Sequence, residues 1–241
     1  MLTECWTFCQ DASTMSPPSL ARRATAEFLG TCALVAVVVG SGIAASRLSP
    51  NDTGLQLLEN SLATALGLTV VIAVLQPLSG AHINPAVTLV SARTLAPSPL
   101  RTQVVYIAAQ VGGGIVGTMT AVAMFQEPLA VSTAGRASTG TVFAELVATA
   151  GLVGLIVVLV RTSRAAWVAP IVGAYIGAAY WFTSSTSFAN PAVTVARVFT
   201  DSFAGIAPTS ALWFIAAQVV GAVVGGVTAT WLVRGGAPTP S

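Results

Sequence analysis

The sequence predicts an all-α membrane protein, with six transmembrane helices plus two re-entrant half-helices in an inverted 3+3 repeat. Three observations carry this prediction. Of the 241 residues, 54% are hydrophobic and 7% charged, against about 25% charged in an ordinary soluble domain. Six apolar stretches are each longer than the roughly 17 residues that cross a hydrocarbon core. The two halves of the chain also match one another in order and motif.

Taken in order, residues 1–20 are polar and contain proline, with no apolar run long enough to insert. They are read as a disordered cytoplasmic tail, because Arg22 and Arg23 come too late for the positive start of a cleaved signal peptide. Apolar spans follow at about 24–46, 58–78, 101–124, 140–161, 165–184 and 208–233. Two shorter apolar pieces, near 84–93 and 190–199, follow Gly/Ser/Thr-rich approaches and begin with Asn-Pro. Proline just inside a helix start is favourable, since its missing N–H would be unpaired there. Both pieces are therefore expected to dip into the membrane without crossing it. A channel-like unit over 21–235 results, with repeat one at about 21–125 and repeat two at about 139–235, followed by a tail at 236–241.

Charge sets the expected orientation. With a cytoplasmic N-terminus, the inner connections carry Arg22, Arg23, Arg93, Arg101, Arg161, Arg164 and Arg234, and the outer ones carry Arg47, Arg136 and Arg197. Seven against three satisfies the positive-inside rule and places both termini in the cytoplasm. The arginine-rich composition and the lack of a targeting segment suggest a bacterial plasma (inner) membrane.

Several function classes are excluded. A net charge of +2 over so few charges leaves no basic patch for nucleic acid. One histidine, three cysteines and no Gly-x-Ser-x-Gly motif offer neither a metal site nor a nucleophilic triad, so no enzyme activity, metal or cofactor is expected. Cys5 and Cys9 are read as two unrelated cytosolic thiols rather than a chelating pair for trivalent arsenic. The spacings Gly113-x-x-x-Gly117, Gly173-x-x-x-Gly177 and Gly221-x-x-x-Gly225 suit close helix crossings.

The self-match is the strongest feature. Ala26-Glu27-Phe28, Ala81-His82-Ile83-Asn84-Pro85-Ala86-Val87-Thr88 and Ala108-Ala109-Gln110-Val111 recur as Ala144-Glu145-Leu146, Phe188-Ala189-Asn190-Pro191-Ala192-Val193-Thr194 and Ala216-Ala217-Gln218-Val219. Three spans per half is an odd number, so the second half enters from the opposite side, about a pseudo-two-fold axis at mid-membrane. Two Asn-Pro-Ala motifs at matching repeat positions, with paired Glu and Gln, resemble the aquaporin and aquaglyceroporin (major intrinsic protein) family over about residues 22–234. That resemblance implies an aquaporin-like fold, a passive pore for water and small uncharged solutes, and a homotetramer in the lipid bilayer.

Irregular backbone at membrane depth is tolerated only inside protein or along a watery cavity. Asn84 and Asn190 are expected to cap the half-helices with their carbonyl oxygens and to offer amide donors to a permeating oxygen atom. Glu27 and Glu145 are read as braces that accept free N–H groups of the re-entrant loops, in preference to a proton relay, with Gln110 and Gln218 bridging nearby. His82 is placed near the cytoplasmic mouth as a satisfied hydrogen-bonding residue.

One departure from the family pattern stands out. Most members carry arginine directly after the second Asn-Pro-Ala, whereas this chain has Val193; the next basic residue, Arg197, lies one further helical turn toward the outer mouth, so rejection of cations rests on the half-helix ends and on Arg197 if it swings inward. Carrying the other outer-filter positions over by spacing gives Thr64 (or Leu66 with a two-residue shift), Ala178 and Ser187. That small, neutral set predicts a wide constriction without arginine, suited to glycerol, urea, boric acid or trivalent arsenic hydroxide. The valine resembles bacterial aquaglyceroporins associated with arsenic resistance. The competing reading, an ion-coupled secondary transporter, needs an ion site that the spans do not supply beyond the two glutamates.

Overall fold

The computed structural model describes residues 18–234; Cys5 and Cys9 lie outside them. Six long helices are present: α1 (Leu20–Leu48), α2 (Thr53–Ser79), α4 (Leu100–Met124), α5 (Thr139–Arg161), α6 (Val168–Phe182, preceded by a 3-10 turn at Ala165–Trp167) and α8 (Pro208–Val233). Between them lie two short helices, α3 (Pro85–Thr94) and α7 (Pro191–Ala196), the second extended by a 3-10 turn at Arg197–Phe199. All eight fall within a few residues of the expected stretches, and the chain is a multi-pass membrane protein.

Local chemistry sets the boundaries. Ser19 Oγ accepts from Arg22 N at the start of α1, and Asp52 accepts from Leu55 N at 2.9 Å at the start of α2. Ser138 and Thr141 exchange side-chain and backbone bonds in a capping box on α5. Pro85, Pro191 and Pro208 each open a helix, where a proline lacks nothing. Gly80 ends α2 at φ 89°, a left-handed cap that glycine adopts without a Cβ clash.

The packing repeats itself. Helix α1 lies along α4, and α5 lies along α8. A Cβ on Gly113 would collide with the Phe28 carbonyl, and one on Gly221 with the Leu146 carbonyl. These pairs occupy equivalent places in the two halves, so the backbones cross closely at the same point in each. Leu62, Leu66, Val70 and Val74 run down one face of α2 at 57–62% exposure. A stripe of that kind needs an apolar surrounding.

The connection between the halves, 125–138, is strapped to the segment after α7. Ser132 N donates to the Val198 carbonyl and Ala207 N to the Ala134 carbonyl, each at 2.8 Å. At its start, Arg47 pairs with Glu127 at 2.7 Å.

Candidate functional site

The two re-entrant loops, 79–84 and 185–190, are built alike down to backbone sign. Positive φ values occur at Gly80, Ala81 and Ile83 in the first, and at Thr186, Ser187 and Ala189 in the second. Left-handed backbone is costly for residues with a Cβ and persists only where the surroundings enforce it. Here the enforcement comes from buried carboxylates. Glu27, with no exposed surface, accepts from Ser79 Oγ at 2.6 Å, His82 N at 3.0 Å, Ile83 N at 2.6 Å and Gln110 Nε2 at 2.7 Å. Glu145, equally buried, accepts from Phe188 N at 2.9 Å, Ala189 N at 2.8 Å and Gln218 Nε2 at 2.6 Å. Each glutamine then reaches the threonine of its own half-helix, Thr88 or Thr194, at 2.9 Å. Four donors thus engage Glu27 and three engage Glu145, all from within the protein.

The loops meet at the two asparagines. Asn84 Oδ1 accepts from Ala86 N and Asn190 Oδ1 from Ala192 N, both at 2.9 Å, which caps α3 and α7. Each amide nitrogen carries two hydrogens. One from Asn84 goes to the Ala189 carbonyl and one from Asn190 to the Ile83 carbonyl, both at 2.8 Å. One N–H on each remains for whatever occupies the space beside it.

That space is a cavity of about 290 Å³ between the two halves, with both asparagines on its wall. Helical period selects the rest of the wall. Residues four apart contribute Thr64, Leu68, Ile72 and Gln76 from α2 and Val168, Val172, Ile176 and Tyr180 from α6. The same face of α3 gives Val87, Ser91 and Leu95, and that of α7 with its 3-10 extension gives Val193 and Arg197.

One sequence expectation is corrected here. Ala178 is exposed and lies off the wall, because it is two residues, or about 200° of helical rotation, from Tyr180. Tyr180 takes the place instead, its hydroxyl 3.2 Å from that of Thr64. Thr64 itself does line the cavity, whereas Leu66 is 61% exposed. Beside Thr64, Ser187 and Val193 from the small, neutral set expected, the cavity wall contains an aromatic ring and a guanidinium. Val193 leaves its own position without charge, but Arg197, one turn along the same face, is 3% exposed and lines the cavity. Its repeat counterpart in the first half, Ser91, lines the cavity as well.

Ser187 also lines the cavity, with a buried hydroxyl that has no partner among the described residues. His82 sits on the wall between Thr88, whose Oγ1 is 3.2 Å from Nδ1, and the edge of the Tyr106 ring at 5.4 Å. Pro85, Ala86, Pro191 and Ala192 are buried beneath the asparagines and serve the half-helices rather than the wall. Among the described residues, no group of three or more His, Cys, Asp or Glu side chains is placed to hold a metal.

The family model for major intrinsic protein matches residues 14–185. The chain belongs to the major intrinsic protein family. It is 47% identical over 220 residues to the aquaglyceroporin AqpS of Rhizobium meliloti, covering 91% of this chain and 93% of that one. It is 30% identical over 242 residues to the probable aquaporin AqpM of Archaeoglobus fulgidus, covering 89% and 96%. The fold matches the X-ray structure of the aquaglyceroporin from Plasmodium falciparum with a TM-score of 0.66 at 26% identity, over 89% of this chain and 95% of that one. As a major intrinsic protein the chain is a passive aquaporin-type channel and not an enzyme.

Proposed function

We propose that this chain conducts water, glycerol and other small uncharged hydroxylated solutes, trivalent arsenic hydroxide among them, through the cavity between its two halves. The observation that carries the reading is the pair of free Asn84 and Asn190 N–H groups, fixed by crossing bonds on the wall of that cavity. A passing hydroxyl or water oxygen exchanges its solvent bonds for these donors, while the long apolar face opposite offers it nothing to bind tightly. A cation finds donors where it needs acceptors. Glu27 and Glu145 act as braces, their carboxylates engaged by loop N–H groups and a glutamine rather than by a coupling ion. The outer constriction is formed by Thr64, Tyr180, Ser187, Val193 and Arg197, and His82 lies toward the opposite mouth.

The assembly proposed is a homotetramer in the plasma membrane, with one pore per subunit, both termini cytoplasmic and residues 21–235 as the channel unit. Solute range follows from the wall. Tyr180 narrows it relative to an all-small set, yet its hydroxyl and that of Thr64 favour solutes rich in hydroxyl groups.

The test is stopped-flow light scattering on proteoliposomes. Shrinkage under sucrose reads water flux, and re-swelling under glycerol, urea or arsenite gradients reads solute flux. Both are expected well above empty liposomes, with flux linear in the gradient. Water flux without re-swelling would overturn the solute reading. A saturable flux that follows a Na⁺ or proton gradient would overturn the channel reading.

A further inference from the structure

Beside the constriction, two arginines from distant parts of the chain hold one short segment between them. Arg136 Nη2 donates to the Phe203 carbonyl at 2.6 Å, Arg197 Nε donates to the Ala204 carbonyl, and Arg136 Nε donates to the Gly205 carbonyl at 2.5 Å. Three successive carbonyls are thus gripped alternately by two guanidinium groups. Both groups also lie on the ring of Phe188, with Arg197 Cζ 3.5 Å and Arg136 Cζ 5.7 Å from its centroid. The negative face of an aromatic ring attracts a guanidinium, and Phe188 is itself fixed edge-on against Phe214 at 5.3 Å.

The mount for Arg136 is rigid. The backbone N–H groups of Arg136 and Ala137 donate to Ser210 Oγ, each at 3.0 Å, and the Arg136 carbonyl accepts from Thr141 Oγ1 at 2.7 Å. The loop between the repeats is thereby pinned to the first turns of α5 and α8. No carboxylate pairs with either guanidinium among the described residues, where the salt bridge found is Arg47–Glu127. The Arg197 guanidinium bonds within the protein through Nε, and its two terminal nitrogens are left to the cavity that the residue lines.

We propose that Arg136 is a specificity-determining positioning residue. Through Phe188 and the 203–205 carbonyls it holds Arg197 as a fixed positive charge at the constriction, in place of the charge that Val193 cannot supply. The inference rests on the channel reading above. Without the Arg136 fork, the carbonyls of Phe203 and Gly205 lose their donors, and the segment that aims Arg197 is free to shift. Arg197 then swings away from the cavity, and cations meet a weaker barrier.

Urea and guanidinium make a matched pair for the test, nearly equal in shape and differing by one charge. Uptake of each, radiolabelled, is measured in proteoliposomes with potassium and valinomycin to balance charge, and the urea-to-guanidinium ratio is the readout. A fixed charge near the path is worth roughly tenfold to a thousandfold in cation rate, depending on how wet the pore is. R197A is expected to lower the ratio within that range, and R136Q by on the order of tenfold. R136K, which keeps the charge and loses the fork, should behave as R136Q does. In the R197A background, R136Q should add nothing.

A wild-type ratio in R136K, or an R136Q effect that persists undiminished without Arg197, would mean that Arg136 acts by its own charge and would overturn the proposal. So would an unchanged ratio in R136Q. Water flux above empty liposomes shows that each variant is folded, and R136K serves if R136Q is not. Absence of both water and urea flux in the wild-type protein would instead defeat the channel reading itself.

Discussion

Asn84 and Asn190 are tied to one another's loops: each amide donates at 2.8 Å to the carbonyl that precedes the other asparagine, Ala189 for Asn84 and Ile83 for Asn190. Replacing Asn190 with alanine removes a cap worth about 1 kcal/mol and orphans the Ile83 carbonyl at a further cost of about 1–3 kcal/mol. A lower melting temperature in detergent and a reduced water flux are expected. Unchanged melting would mean that the crossing bonds do not hold the loops.

The glutamate braces yield a second expectation. In Glu145→Gln the new amide NH2 faces Phe188 N, Ala189 N or Gln218 Nε2, three donors with nothing to give it. Each mismatch in so buried a place costs about 1–3 kcal/mol, so thermal stability should fall. The flux that remains should stay flat from mildly acid to mildly alkaline pH. Loss of a pH-dependent component present in the wild-type protein would assign Glu145 to a proton path instead.

Close helix crossing can be tested through its duplication. Gly113→Ala and Gly221→Ala each drive a Cβ into a backbone carbonyl of the partner helix, Phe28 in one half and Leu146 in the other. Overpacking of this kind costs about 1–3 kcal/mol. The two variants should lose similar amounts of stability, measured as melting temperature. A large effect in only one half would show that the halves are not mechanically equivalent.

At the proposed constriction, Tyr180→Ala removes an aromatic ring from the cavity wall and leaves Thr64 without its hydroxyl partner. Re-swelling in glycerol should rise relative to water flux. Tyr180→Phe keeps the ring and should change that ratio much less. Equal effects from both would place the control in the hydroxyl rather than in the size of the ring.

The exposed edge of the inter-repeat loop is expected to respond to pH in a defined direction. The Thr133 backbone N–H, at 2.8 Å, and the Thr133 hydroxyl hold the Asp201 carboxyl below the usual carboxylate range. A depressed folded-state pKa stabilises the docked loop above the unfolded value of about 3.9, and the contribution is lost as pH falls through the folded value. The protection factor of the Thr133 amide, its hydrogen-exchange rate taken relative to the intrinsic rate at each pH, should therefore fall in acid. Asp201→Asn should show the lower protection factor already at neutral pH, with no further fall in acid.

Much of this architecture was legible because membrane helices announce themselves by length, and because the repeat doubled every weak motif into a strong one. Glu27 with Glu145, Gln110 with Gln218 and the two asparagines came from that doubling. What escaped was phase. Transferring a position along α6 by counting placed Ala178 at the constriction, but α6 is apolar all round, so no polar stripe marked which face looks inward. Arg197 was recognised as the next basic residue, yet its place on the wall required knowing that α7 continues into a 3-10 turn and keeps residue 197 on the face of Asn190 and Val193. The grip of Arg136 on the 203–205 carbonyls left no trace in composition, since backbone acceptors carry no sequence identity.

The crossing bonds at the asparagines bear on what kind of machine this is. A pump or exchanger must open one side while closing the other, and in a fold of two inverted halves that means sliding them past each other at their meeting point. Here that point is riveted by Asn84 and Asn190, and the loops on either side are stapled to buried carboxylates. The same pair of asparagine donors therefore meets a molecule arriving from either compartment. Net movement through a passive channel runs down the solute gradient, so a cell holding this protein gains equilibration speed and leaves accumulation to whatever consumes or traps the solute inside.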